Sequence, residues 1–124
     1  MLSKNEMVKV RKAIESLYTG RCNIFEYKKI QKANRATSFE EVKIIDNEPC
    51  KLSFQVISDA DSNEVASSLT QKIKLFISPE IKINPGSKIV IEQNNTIFEY
   101  KNSGEPAIYE THQEIILDLF KGWS

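Results

Sequence analysis

Chemistry-bearing residues are scarce in this sequence. Its 124 residues include one histidine, His112, and two cysteines, Cys22 and Cys50. A protein zinc site needs three or four ligands, and none besides His112 stands at a recognisable ligand spacing. The cysteines form no C-x-x-C pair and neither lies near the one histidine, so they read as buried free thiols. No Gly-x-Ser-x-Gly elbow occurs. Pro85-Gly86-Ser87-Lys88 matches only the end of a phosphate-binding loop, and it precedes a strand pattern where such a loop precedes a helix. Glu105, Glu110 and Glu114 surround a C-terminal loop, but solvation of a surface explains them without acid-base chemistry. The expectation is a protein that is not an enzyme and holds no cofactor or metal.

Long apolar runs are also missing. Nothing approaches the roughly 20 residues that a membrane helix needs, and the N-terminus lacks the apolar centre and cleavage site of a signal peptide. No membrane partner is expected, and the chain reads as made and kept in cytosol. Hydrophobic residues make up 40% and charged residues 27%, which suits one soluble globular domain over residues 1–124.

Net charge is absent as well, but the two signs are segregated. Residues 1–35 hold nine Lys or Arg against three Glu, whereas residues 36–124 hold eight against fourteen acids. Tight general binding of nucleic acid needs clustered cations, and the larger, acidic part offers the opposite. The basic segment is most simply the solvated face of a helix.

What the sequence does contain is clear punctuation. Ser3-Lys4-Asn5-Glu6 matches a capping box, so a helix begins there. Met7, Val10, Ile14, Leu17 and Tyr18 form one apolar stripe at spacings of three and four, and Gly20 is placed to end the helix in a left-handed turn. The stripe either packs on the protein's own strands, the simpler use, or docks on a neighbouring subunit. Arg21 to Lys29 reads as a first strand, Ile30 to Glu41 as a polar break, Val42 to Ile45 as a short run and Asp46 to Pro49 as a turn. Cys50, Leu52, Phe54 and Val56 then alternate with polar residues in a clean period of two. Ser58 to Thr70 has almost no large apolar side chains and reads as a long surface loop or short polar helix, a length uncommon in compact domains without a task. Ile73, Leu75 and Ile77 share one face of the next strand. Pro85-Gly86 suits a type II turn and Asn94-Asn95 a type I′ hairpin, and Glu114 to Phe120 supplies a last strand. Short strands at this spacing predict a mainly β fold: an antiparallel barrel or sandwich of about six to seven strands with an N-terminal helix and long loops.

Four segments together suggest a family. Leu17-Tyr18-Thr19-Gly20-Arg21-Cys22-Asn23-Ile24, Cys50-Lys51-Leu52-Ser53, Pro85-Gly86-Ser87-Lys88 and, most specifically, Ser103-Gly104-Glu105-Pro106-Ala107-Ile108-Tyr109-Glu110-Thr111-His112-Gln113-Glu114 resemble the head-closure proteins of tailed phages and prophages, also called stoppers or head-completion proteins. The resemblance spans most of the chain, from the end of the helix to the last strand. It implies a structural protein of the head–tail connector in the virion. Such a protein joins the adaptor ring beneath the portal, assembles there into a ring, retains packaged DNA and offers a docking surface to the tail-completion protein. On this reading the Ser58 to Thr70 segment, with Asp59, Asp61, Asn63 and Glu64, faces the channel, and its acids Asp59, Asp61 and Glu64 repel the phosphates of passing DNA. The Ile30 to Glu41 segment, with Lys32 and Arg35, competes for that position. Met7, Val10, Ile14, Leu17, Tyr18, Glu105, Pro106, Tyr109 and His112 are the candidate subunit or partner contacts. A tail-completion protein, or a host OB-like module binding nucleic acid or peptide, is the alternative. Phe25, Tyr27, Phe98 and Tyr100 would supply the stacking face of such a module, but Glu26 and Glu99 intervene where cations are wanted.

Overall fold

Strand pairing in this protein closes on itself. The structure, a computed structural model, describes residues 3–58 and 69–123. Helix α1 (Lys4–Glu15) precedes seven strands: β1 (Gly20–Gln31), β2 (Thr37–Ser58), β3 (Leu69–Ile77), β4 (Lys88–Gln93), β5 (Thr96–Asn102), β6 (Ala107–Ile108) and β7 (Gln113–Leu119). All pairings are antiparallel. They run in the order β3-β2-β1-β4-β5-β7, and β3 pairs again with β7, so six strands form a ring while the two residues of β6 add to β7 alongside β5. The mainly β expectation, with about seven strands and one leading helix, holds.

Alternation builds the core. Cys22 and Ile24 of β1, Cys50 and Leu52 of β2, Leu75 and Ile77 of β3, Ile89 and Ile91 of β4, and Ile115 and Leu117 of β7 all point inward. Each fully buried Ile or Leu contributes about 1.5–3 kcal/mol relative to an exposed one. The two turns expected from sequence are present. Gly86 has φ of 82°, and the Ser87 N–H donates to the Asn84 carbonyl at 3.2 Å, closing the Pro85-Gly86 turn. Asn94 and Asn95, with φ of 54° and 60°, join β4 to β5 between the paired residues Gln93 and Thr96. The Ser3 hydroxyl also caps the helix by accepting from the Glu6 N–H at 3.2 Å.

Other local readings give way to strand pairing. Asp46 to Pro49 is no turn: it lies within the 22-residue strand β2, where two register shifts against β1 accommodate extra residues. Asn47 takes the strain with φ of 52°, and its N–H donates to the Asn23 side-chain oxygen at 2.8 Å. Ile30 to Glu41 is no loop either, because Gln31 pairs with Thr37 and only residues 32–36 turn the chain. At the far end, Ser58 closes β2 and Leu69 opens β3, so both ends of the segment read as a loop are strand, and its residues 59–68 lie outside the described residues. Among the described residues no helix is long and apolar enough to cross a membrane.

Gly20 does not cap the helix, which ends at Glu15, and instead opens β1. A Cβ there would stand 3.0 Å from the Cys50 carbonyl oxygen and 3.0 Å from Gln93 Oε1. Cys50 pairs in turn with Ile77, Ile77 with Gln113, and Gln113 with Ile108. One transverse line of partners therefore joins the start of β1 to the C-terminal segment. Gly20→Ala should cost about 1–3 kcal/mol by overpacking this line, read as a lower denaturation midpoint with an unchanged slope.

Both cysteines are fully buried and free. A hydrogen bond with Cys50, together with burial, pushes the Cys22 thiol above the usual thiol range. A protonated, enclosed thiol does not attack. A disulfide-exchange reagent should therefore find neither thiol in the native protein at neutral pH and both after unfolding; rapid labelling of the native chain would contradict the buried placement.

Candidate functional site

Among the described residues no three His, Cys, Asp or Glu side chains cluster in a way that could hold a metal ion. His112 serves instead as a clamp. Its Nε2 lies 2.9 Å from Glu114 Oε2, its ring stacks on Tyr109 with centroids 4.9 Å apart, and the Phe76 ring lies tilted to it with centroids 5.9 Å apart. His112 foremost, and then Lys74 at 3.4 Å, lower the Glu114 pKa. The Tyr109 N–H donates to the His112 carbonyl at 2.8 Å, so the segment turns tightly over its own stacked rings.

This clamp displays a surface. Ser103 N–H and Oγ both donate to the Ile116 carbonyl, fixing the start of the segment, while β6 fixes its middle. At and just past β6, Ile108 is 65% and Tyr109 51% exposed, flanked by exposed Glu105 and Glu110 and half-buried Pro106. Four of the sequence candidates, Glu105, Pro106, Tyr109 and His112, thus lie on one structured platform.

The helix stripe is placed differently. Met7, Val10, Ile14 and Tyr18 are half-buried, Leu17 is 63% exposed, and no helix residue is fully buried. None of the stripe residues is among the hydrophobics that pack against the buried core. Burial raises the Tyr18 pKa, and its hydroxyl has no partner among the described residues. Polar contacts do the fastening. Arg11 forms a two-pronged pair with Glu80, and its Nη2 donates to Ser78 Oγ at 2.9 Å, just past the end of β3. Helix and platform are therefore tied to the same corner, since Gln113 Nε2 donates to the Ser78 carbonyl at 2.8 Å and also to that of Ile81. The channel candidates Asp59, Asp61, Asn63 and Glu64 lie outside the described residues. Lys32 and Arg35, of the competing segment, sit in the turn of the β1–β2 hairpin.

A second surface went unread in the sequence. On the outer face of that hairpin Tyr27 stacks between Phe39, at 5.6 Å, and Trp123, at 5.3 Å, and Phe120 meets Trp123 edge-on at 5.0 Å. Tyr27 is 47% and Phe39 58% exposed. Beside them Lys88 lies 5.7 Å from the Phe25 centroid and 5.1 Å from that of Phe120, and pairs with Glu41 at 2.9 Å. The hydrogen bond to Glu41 raises the Lys88 pKa, keeping it cationic. A cleft of about 390 Å³ opens between Tyr27, Trp123 and the Asn84 to Ser87 turn, with Glu26 as its one titratable carboxylate. Phe25 is covered by cations, Phe98 stacks on Tyr100 at 6.0 Å, and Tyr100 is buried, so the four aromatics expected of a stacking face do not share one surface.

The helix fastening has a pH signature. Arg11 first, and then Ser78, hold the Glu80 carboxyl at about 2, below its ordinary value of 4.5. A depressed carboxylate adds stability that is present above the ordinary value and lost as pH falls towards the folded one. Arg11→Met should return the Glu80 titration, followed by carboxyl-carbon NMR, towards 4.5 and speed amide exchange across α1. An unmoved titration would sever Glu80 from the helix.

No family model matches this chain, and no curated protein matches it. A similar solved structure is that of the phage-like element PBSX protein xkdH of Bacillus subtilis, at 14% identity and a TM-score of 0.46, covering 78% of this chain and 90% of that one. No functional statement rests on that likeness.

Proposed function

We propose that this chain is a structural component of a phage or prophage connector, a head-closure protein that joins a ring beneath the portal and adaptor, helps retain packaged DNA and presents a docking surface to the tail. The observation that carries the reading is the Ser103 to Glu114 segment. Its residues resemble those of head-closure proteins, and its backbone is anchored at both ends while its apolar side chains face outward. A segment built to be fixed and exposed suits recognition of another protein surface. Aromatic anchors such as Tyr109 supply much of the energy at interfaces of that kind.

The partners on this reading are the portal–adaptor ring, further copies of the chain and the tail-completion protein, and its place is the head–tail interface of the virion. DNA passes the protein rather than being held by it. The protein mixed with portal–adaptor particles should cosediment with them, and Tyr109→Ala should weaken that association about tenfold or more while leaving the unfolding midpoint nearly unchanged. Failure to cosediment would overturn the reading, and strong salt-sensitive binding of DNA by the isolated chain would favour a nucleic-acid module in its place.

A further inference from the structure

The β1–β2 hairpin outruns the ring that supports it. Pairing of β1 with β4 stops at Phe25, and pairing of β2 with β3 starts at Cys50. Among the described residues, Glu26 to Gln31 and Thr37 to Val42 pair only with each other, as a two-stranded arm. Arms of this kind are marginal alone and carry open edges that natural proteins cover or charge. This one is laced by Lys32 and Glu40 at 3.6 Å and by the Tyr27 stack, yet Tyr27 and Phe39 stay about half exposed.

Topology sets the arm far from the Ser103 to Glu114 platform. Around the six-strand ring, β1 and β7 are separated by β2 and β3 on one side and by β4 and β5 on the other. They occupy opposite walls, so one copy cannot fold its arm onto its own platform. The two surfaces are complementary in kind. The arm presents Tyr27 and Phe39 with Lys29 on the same face and Arg35 at its turn; Lys29 and Arg35 have no ion pair among the described residues. The platform presents Ile108 and Tyr109 between Glu105 and Glu110, likewise without ion pairs there. Two unlike patches on opposite walls define a heterologous, head-to-tail contact, the type that generates rings when the rotation closes.

We infer that the occupant of the arm is a second copy of this chain: Tyr27 and Phe39 of one copy pack on Ile108 and Tyr109 of the next, with Lys29 and Arg35 facing Glu105 and Glu110. The inference rests on the ring assembly proposed above and names the contact that would build it.

Disulfide trapping tests it, because the two native cysteines are buried. A chain carrying both Arg35→Cys and Glu110→Cys, oxidised at high concentration, should give a reducible ladder of multimers. An equimolar mixture of the two single variants should stop at dimers, and either single variant alone should remain monomeric. Adding Lys29→Glu to the double variant should cut the ladder about tenfold, and adding Glu105→Lys as well should restore it. Single variants that dimerise as readily as the mixture, a double variant that gives no ladder, or a reversal that the second charge change fails to rescue would each overturn the contact. A ladder without cosedimentation on portal–adaptor particles would sink the connector reading and keep the contact; cosedimentation without a ladder on those particles would do the reverse.

Discussion

Two buried carboxamides hold the corner on which the helix and the platform both depend. Between β3 and β4 the chain travels from Ser78 to Ser87 without a strand partner, although Ser78, Ile83 and Ser87 are buried. Backbone carbonyls in such a crossing must find donors or cost about 1–3 kcal/mol each. Gln113 Nε2 supplies Ser78 and Ile81, and Asn102 Nδ2 supplies Ile83 at 3.2 Å. Asn102 also exchanges backbone bonds with the turn, accepting from Gly86 and donating to Ser87. A third amide works the same way across the ring: Gln93 accepts from the Leu52 N–H at 2.9 Å and donates to its carbonyl at 3.1 Å. Each side chain stands in for a missing strand. Because the crossing is fixed at Ser78, Arg11 has something rigid to grip, and because Gln113 is fixed, the His112 clamp next to it is aimed outward.

Local chemistry made the turns legible and global pairing hid the rest. Asn94-Asn95 and Pro85-Gly86 need nothing beyond their own φ preferences, so the sequence alone places them. Asp46-Asn47 carries equally good turn chemistry but becomes a bulge, since the β1 partners continue past it and Asn23 satisfies the exposed N–H. The outer part of the arm, from Ile30 to Glu41, was illegible for a different reason. A two-stranded ribbon standing away from the core has little to bury, so its residues lack the apolar alternation by which strands are recognised. Gly20 misled because the helix had already ended at Glu15, and the backbone approach of Cys50, not a left-handed turn, is what wants glycine there.

Of the candidate contacts, the platform residues were legible because they are contiguous. Glu105 to His112 share one short segment, and a single clamp brings them together. The aromatic strip on the arm was not, for Tyr27, Phe39 and Trp123 come from two strands and the C-terminal stretch, and only the fold brings them into contact. Charge is intermediate. Segregation of basic residues into the first 35 positions was visible, but its simplest reading, a solvated helix face, accounts for only part of it.

The remainder of that basic excess lies on the arm, where Lys28, Lys29, Lys32 and Arg35 outnumber Glu26, Glu40 and Glu41 only slightly. What gives the excess its direction is pairing. Glu40 answers Lys32, Glu41 answers Lys88, and Glu26 sits 4.0 Å from Lys28 while accepting from Asn84, so the acids of the arm are already engaged. Lys29 and Arg35 are left to define its outward field, as Glu105 and Glu110 define that of the platform. A chain of zero net charge has no long-range repulsion keeping its copies apart, and one whose arm and platform carry unanswered charges of opposite sign on opposite walls favours one orientation of approach between those two patches. The orientation so favoured is head to tail, which an isologous pair of identical patches would not be: arm against arm, or platform against platform, sets like charges together.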